Sequence, residues 1–197
     1  MTPDWQDAVR VRLHRKNALL FHPQDDLLGE LRQKLHGLSR RACVLWALSL
    51  AEETVRALAA FFPADLRPAD ALAAASGWAA GECTMARARR AILACHVLAK
   101  ETDSAEAAAL CHALGQACSV VHTPRHVLGL PVYELTALVR RSGADGAWES
   151  SVRARVGAYL AAADRAEREA RLPRRWAPFL QDRSAAADAS TSKEVIS

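Results

Sequence analysis

Residues 115–141 read GQACSVVHTPRHVLGLPVYELTALVRR, and this stretch determines how two helical runs of the chain are joined. Thr123 followed by Pro124 predicts a helix start, with threonine as the N-cap and proline in the first turn, where its missing N–H costs nothing. The new helix is predicted to continue to the end of the stretch. Pro131 lies inside it and predicts a kink, because its ring crowds the carbonyl of Val127.

Outward from this stretch, apolar residues recur at helical spacing along most of the chain. Between residues 38 and 62 they occupy two faces, which predicts a central helix packed on both sides. One face carries Val44, Leu48, Ala51, Val55, Leu58 and Phe62, and the other carries Trp46, Leu50, Thr54, Ala57 and Phe61. Further helices are predicted to start near Pro68, Thr84 and Ser104, and a last long helix is predicted over 147–171.

The composition points to the same fold class. Hydrophobic residues make up 51% of the 197 residues, with alanine the most frequent of them, whereas aromatic residues make up only 6%. Alanine has the highest helix propensity, and few runs of β-branched residues are available for strands. We therefore predict an all-α protein without a sheet, a compact multi-helix bundle or an irregular α–α stack of about six to eight helices.

The length suits one domain with appendages. We expect a core domain over 38–145, preceded by an N-terminal helical extension over 1–37. A C-terminal helix and a basic, aromatic segment over 146–183 are expected to pack on that core. The tail at 184–197 lacks core residues and is expected to be disordered.

The formal net charge is +4, and the excess lies in residues 146–183, which hold 8 basic and 5 acidic side chains. The segment 168–175 could bind phosphates, which leaves a nucleic-acid-associated helical protein as the weakest alternative. Asp164, Glu167 and Glu169 share the helix face from which this segment continues, and there is no long stripe of one sign. We therefore do not expect nucleic acid to be the partner.

The cysteines and the apolar runs indicate the cellular compartment of the protein. Five cysteines, an odd number without a CxxC pair, lie in apolar helical runs at Cys43, Cys83, Cys95, Cys111 and Cys118. Such cysteines behave as small hydrophobic residues in a reducing compartment. No run approaches the ~18 apolar residues of a membrane span, and the N-terminus has no signal-peptide pattern. We predict a cytoplasmic protein that does not enter a membrane.

His122 and His126 have the HxxxH spacing that presents two imidazoles to a metal when both lie in one helix. Here Thr123 and Pro124 place a helix junction between them, so the rings need not share a face. Cys118, His122 and His126 form the alternative ligand set, with a fourth ligand to come from elsewhere. We expect no metal and no cofactor, because no Gly-rich phosphate loop, GxSxG, HExxH or paired CxxC is present.

A second alternative is a small helical enzyme or ligand-binding protein with a pocket at the 122–134 helix junction. His126, Tyr133 and Glu134 could serve there as base, acid and orienting group. His96 and His112 lie among alanine and leucine and favour a packing role.

Four blocks carry a family resemblance: WALSLAEETVRAL at 46–58, LRPADALAAASGWAAGE at 66–82, ARRAILACHVLAKE at 88–101, and 114–140 around the opening stretch. Their order over about residues 40–141 resembles bacterial immunity proteins with an Imm-5-like domain. The matching positions are Trp46, Arg67, Pro68, Trp78, Gly81, Glu82, His96, Gly115, Gln116, His122, His126 and Tyr133. Leu66 and Ala69 depart from the pattern, which often has an acidic and a basic residue there.

The resemblance implies an all-α protein encoded beside a toxin, which it neutralises by stoichiometric binding without chemistry. Its partner would be that toxin or another product of a neighbouring gene. The basic balance of the chain favours an acidic or neutral partner, because charge complementarity steers association. The binding face and the oligomeric state are left open by the sequence.

Overall fold

The computed structural model describes residues 4–143 and 147–181, which form eight α-helices and no strand. The helices are α1 (Trp5–His14), α2 (Gly29–Gly37), α3 (Arg40–Leu58), α4 (Arg67–Ala80), α5 (Met85–Leu98), α6 (Ala105–Ser119), α7 (Gly129–Ser142) and α8 (Trp148–Glu169). Short 3₁₀ helices occupy Asp26–Leu28, Pro124–Leu128 and Pro178–Leu180. The predicted all-α fold is confirmed. The tail predicted for 184–197 lies outside the described residues.

Helix α3 is the centre of the bundle, with α4, α6 and α8 packed around it. Its start is capped by Ser39, whose hydroxyl accepts a hydrogen bond from the amide of Ala42 at 3.2 Å. Trp46 is fully buried, and its indole N–H donates to the carbonyl of Tyr159 on α8 at 3.0 Å. The predicted two-sided packing is therefore confirmed, but the helix ends at Leu58 rather than near Phe62, and Ala57 and Phe61 of the second face are exposed.

The end of α4 holds the C-terminal segment in place. Gly81 ends the helix in the left-handed conformation, with φ +76°, which a residue with a Cβ adopts only at a cost. A Cβ at Gly81 would also lie 3.3 Å from Cα of Ala177. The amide of Ala177 donates to the carbonyl of Ala79 at 2.8 Å, and the ring of Phe179 lies 5.2 Å from that of Trp78. Residues after α8 thus return to cover α4.

The described part of the N-terminal segment packs on α7 and α8. The amide of Leu20 donates to the hydroxyl of Thr136 on α7 at 3.1 Å. The rings of Trp5 and Trp148 meet edge to face, with 5.7 Å between centroids. Within the described residues, no helix combines the length and the apolar character that crossing a membrane requires.

The junction between α6 and α7 differs from the sequence prediction. Instead of one kinked helix, Pro124–Leu128 form a tight 3₁₀ helix and α7 begins only at Gly129. Pro131 is therefore the third residue of α7, where a backbone N–H has no partner inside the helix and its absence costs nothing. The prediction of a mid-helix kink was wrong, because the chain places its irregular turn before the proline.

Candidate functional site

Three helices and one 3₁₀ segment bring a set of histidines together on one side of the bundle. We call this set the histidine cluster: His96, His112, Gln116, His122, His126 and Tyr133. Helix α5 supplies the first of these and α6 the next two, which are four residues apart and so share a helix face. The α6–α7 connection supplies the next two histidines, and α7 supplies the tyrosine.

His96 and His112 form the centre of the cluster. Their Nδ1 atoms lie 2.9 Å apart, and their ring centroids are separated by 5.2 Å. Such a contact needs a proton on one Nδ1 and a lone pair on the other. Burial lowers the pKa of both rings, with a further lowering from the charge of His112 on His96 and from Lys100 on His112. The geometry therefore favours a neutral, hydrogen-bonded pair.

Two glycines make room for the side chains of the cluster. A Cβ at Gly115 would collide with Cε1 and Nε2 of His96 and lie 3.1 Å from its Cδ2. A Cβ at Gly129 would collide with Oε1 of Gln116 and lie 2.8 Å from its Cδ. That same Oε1 accepts a 2.6 Å hydrogen bond from Nδ1 of His126. The glycines therefore allow α5, α6 and α7 to approach with the polar side chains between them.

Aromatic rings border the cluster on two sides. The ring of Tyr133 lies 5.1 Å from that of His112, and the ring of Trp78 lies 5.3 Å from that of His122. Burial lowers the pKa of His122, and the charges of His126 and Arg89 lower it further. Ring and hydrogen-bond contacts thus join His96 and Tyr133 to His112, Gln116 to His126, and Trp78 to His122.

Trp46 and Arg67, two further family markers, lie outside the cluster. Trp46 anchors α3 to α8, as described above. The guanidinium of Arg67 pairs with Asp65 at 2.6 Å and with Glu101 at 2.5 Å. It therefore links the start of α4 to the chain just after α5, and its contacts are architectural.

Glu134 belongs to a separate polar network between α7 and α8. Its carboxylate accepts hydrogen bonds from Arg155 at 2.6 Å and from the hydroxyl of Tyr159 at 2.8 Å. Burial raises the pKa of Glu134, and the charge of Arg155 partly offsets that effect. Glu134 has no hydrogen bond, ion pair or ring contact with His126 or Tyr133, all three being within the described residues. The catalytic trio stays a prediction that these contacts do not support.

The alternative metal-ligand set joins Cys118 to His122 and His126. Cys118 is fully buried, and burial raises its pKa to about 12, whereas metal ligation requires the thiolate. Nδ1 of His126 is engaged by Gln116. In the part of the chain that the structure describes, no group of three histidine, cysteine or acidic residues is arranged to hold a metal ion.

Sequence reasoning missed two members of this arrangement. His112 was interpreted as a packing residue, and only its spacing of four from Gln116 indicated that it shares the face of the cluster. Gly129 was not singled out, and its position two residues before Pro131 was the only local sign of a helix start. The contacts that define both residues come from other helices.

Fold and cluster together define a small all-α protein with a packed seam of histidine and aromatic rings. The chain matches the family described as Imm-5 like putative immunity protein over residues 33–165, more than half of its length, and it belongs to that family. The match includes the whole histidine cluster and reaches into α8, and it confirms the resemblance noted in the sequence. No curated protein and no solved structure matches the chain. Family membership supports an immunity role.

Proposed function

We propose that the protein binds a toxin protein stoichiometrically and thereby neutralises it. The observation that carries this proposal is the family match over residues 33–165. An immunity protein of this kind needs a rigid body and a complementary surface, and it needs no reaction of its own. The structure is compatible with such a mode of action in two respects.

The packing of the histidine cluster is compatible with a binding role. Its central polar atoms are engaged with one another, as the pairs His96–His112 and Gln116–His126 illustrate. Two hollows of about 610 and 520 Å³ lie beside Trp176 in the C-terminal segment, and a third of about 440 Å³ borders the junction at Pro124–Leu128. None of the three is lined by cluster residues. Substrate sites are usually concave pockets with convergent polar groups. The cluster instead resembles a packed seam that fixes α5 against α6, and α6 against α7.

The net charge of the chain is also compatible with binding a toxin. The net charge of +4 favours association with an acidic or neutral toxin, because opposite charges raise the rate of encounter. A strongly basic toxin would be repelled. The toxin is therefore expected to be acidic at least at the surface that it presents to this protein.

Co-expression tests the proposal. The product of the gene next to that of this chain is expressed in a host cell, alone and together with the chain. We expect growth to stop in the first case and to be restored in the second, with a copy of the immunity gene carrying an early stop codon as the control. Growth arrest that the intact chain does not relieve would contradict the proposal.

The alternative function, a small helical enzyme or ligand-binding protein, is favoured by one observation. The His96–His112 pair has a lowered pKa and is therefore neutral near pH 7, which is the state required of a general base. A catalyst would act on many equivalents of its target, whereas a binding protein acts on one. The stoichiometry of neutralisation therefore separates the two functions.

A further inference from the structure

Helix α5 lies at an edge of the bundle, where it packs chiefly against α4 and α6. Its outward ridge repeats every fourth residue through Met85, Arg89, Leu93 and Val97, and all four side chains are exposed. Arg90 is exposed beside this ridge. We call these five residues the α5 face.

Apolar side chains are concentrated on the α5 face. Eight large hydrophobic residues are exposed in the described part of the chain, and three of them are Met85 at 55%, Leu93 at 52% and Val97 at 48%. Leu66, the most exposed at 77%, lies near the end of α5, because the adjacent Arg67 pairs with Glu101. Leu93 and Val97 are neighbours one helical turn apart, and exposed apolar side chains that lie together in this way mark interaction sites.

The charged side chains of α5 itself are all positive. No acidic residue occurs between residues 85 and 100. Arg87 is paired with Asp70 at 2.8 Å, whereas the side chains of Arg89, Arg90 and Lys100 make no ion pair or hydrogen bond with any described residue. A complementary surface would therefore place carboxylates around an apolar centre.

The α5 face continues into the exposed edge of the histidine cluster. Arg89 is close enough to His122 for its charge to lower the pKa of that ring, and His122 is itself exposed. A helix of 14 residues is about 20 Å long and presents less than the roughly 800 Å² that each partner buries in a standard interface. An interface centred on α5 would therefore also cover the edge at His122.

We propose that the α5 face is the surface that binds the toxin, and that the toxin presents an apolar centre bordered by acidic residues. This inference rests on the proposed neutralising function and adds the surface and the chemistry of the partner. A second copy of the chain is a poor occupant, because two α5 faces would bring only positive side chains into the shared interface. Nucleic acid is a poor occupant as well, since a phosphate backbone gains nothing from Leu93 and Val97.

Matched charge reversals test the α5 face. R89E/R90E reverses two unpaired arginines on α5, and R165E/R168E reverses two exposed arginines on α8. Binding to the purified product of the neighbouring gene is measured at several salt concentrations. We expect R89E/R90E to weaken binding by about tenfold or more, mainly through a slower association rate and with a loss of salt dependence. R165E/R168E should stay within about threefold of wild type.

The apolar part of the face is tested by L93Q/V97Q, which should weaken binding by about tenfold or more through faster dissociation. Circular dichroism and thermal unfolding establish that each variant is folded. Binding by the wild type that none of the α5 variants weakens would overturn this inference and leave the proposed function standing. Failure of the wild type to bind would overturn both. Two other results would also overturn the inference about the α5 face. One is a wild-type dimer that dissociates in R89E/R90E, and the other is DNA binding that R89E/R90E loses while its toxin binding stays unchanged.

Discussion

The Nδ1 atoms of His96 and His112 lie 2.9 Å apart at the contact between α5 and α6. One ring donates to the other, and the pair can hold one shared proton between these atoms. If both Nδ1 atoms carried a proton, the two N–H groups would face each other and this hydrogen bond would be lost. The packing of α5 on α6, and with it the position of the α5 face, is therefore linked to protonation of this pair.

The first prediction concerns pH. Burial lowers the pKa of His96, His112 and His122 in the folded protein. Between the ordinary histidine pKa of about 6.5 and these lowered values, the unfolded chain binds more protons than the folded chain. The stability from the neutral rings is complete above about pH 6.5 and is lost as pH falls through the folded pKa values. We expect urea unfolding to show a lower free energy of unfolding at about pH 5.5 than at about pH 7.5.

Two variants assign this effect to the cluster. H96Q/H112Q should reduce the dependence of the free energy of unfolding on pH, whereas H14Q, at an exposed histidine on α1, should retain it. The pKa values of Glu106 and Glu134 are raised by burial and contribute with the opposite sign, but this contribution is common to wild type and variants. An unchanged pH dependence in H96Q/H112Q would show that the pair is not its source.

The second prediction concerns the space beneath His96. Gly115→Ala should lower the free energy of unfolding by about 1–3 kcal/mol, because the added methyl group collides with the ring of His96 and overpacks the α5–α6 contact. Gly157→Ala is the matched control in a helix interior. No atom lies within 4 Å of a Cβ at Gly157, so this change should raise the free energy of unfolding by about 0.5–1 kcal/mol. This explanation would be contradicted if chemical denaturation showed that both substitutions change the free energy of unfolding in the same direction.

The third prediction separates an architectural from a catalytic role for Glu134. Glu134→Ala should lower the free energy of unfolding by about 3 kcal/mol, because it removes the buried partner of Arg155 and Tyr159. Glu53→Ala removes the other carboxylate on Arg155, but Glu53 is 42% exposed, and the expected loss is at most about 1 kcal/mol. Each variant, under conditions in which it is folded, should still neutralise the toxin. Loss of neutralisation by folded Glu134→Ala would favour the enzymatic alternative.

Local sequence signals predicted the helices well. Thr84 and Ser104 each accept the capping hydrogen bond predicted at a helix start, whereas Thr123 accepts none, and the two-faced apolar pattern placed α3 at the centre. The α6–α7 junction was not predicted, because a proline within an apolar helical pattern can mark either a kink or a first turn. Tertiary contact decides between them, here the close approach of Gly129 to Gln116.

The candidate site was predicted only in part. The family resemblance identified His96, Gln116, His122 and Tyr133 but not their contacts, which join residues of different helices. Arg155 and Tyr159, the partners of Glu134, lie on α8, 21 and 25 positions further along the chain. No local sequence pattern indicates these contacts. The α5 face was missed, because the sequence shows the buried stripe of a helix but not which neighbours leave its other side open.

Titration of the toxin's activity tests the central claim most directly. A fixed amount of the product of the neighbouring gene is mixed with increasing amounts of this protein, and the toxic activity that remains is measured. Stoichiometric binding predicts a linear decline that reaches zero at about one equivalent and does not progress with time. Full activity at about a tenfold excess, or a loss that proceeds with time well below one equivalent, would contradict it.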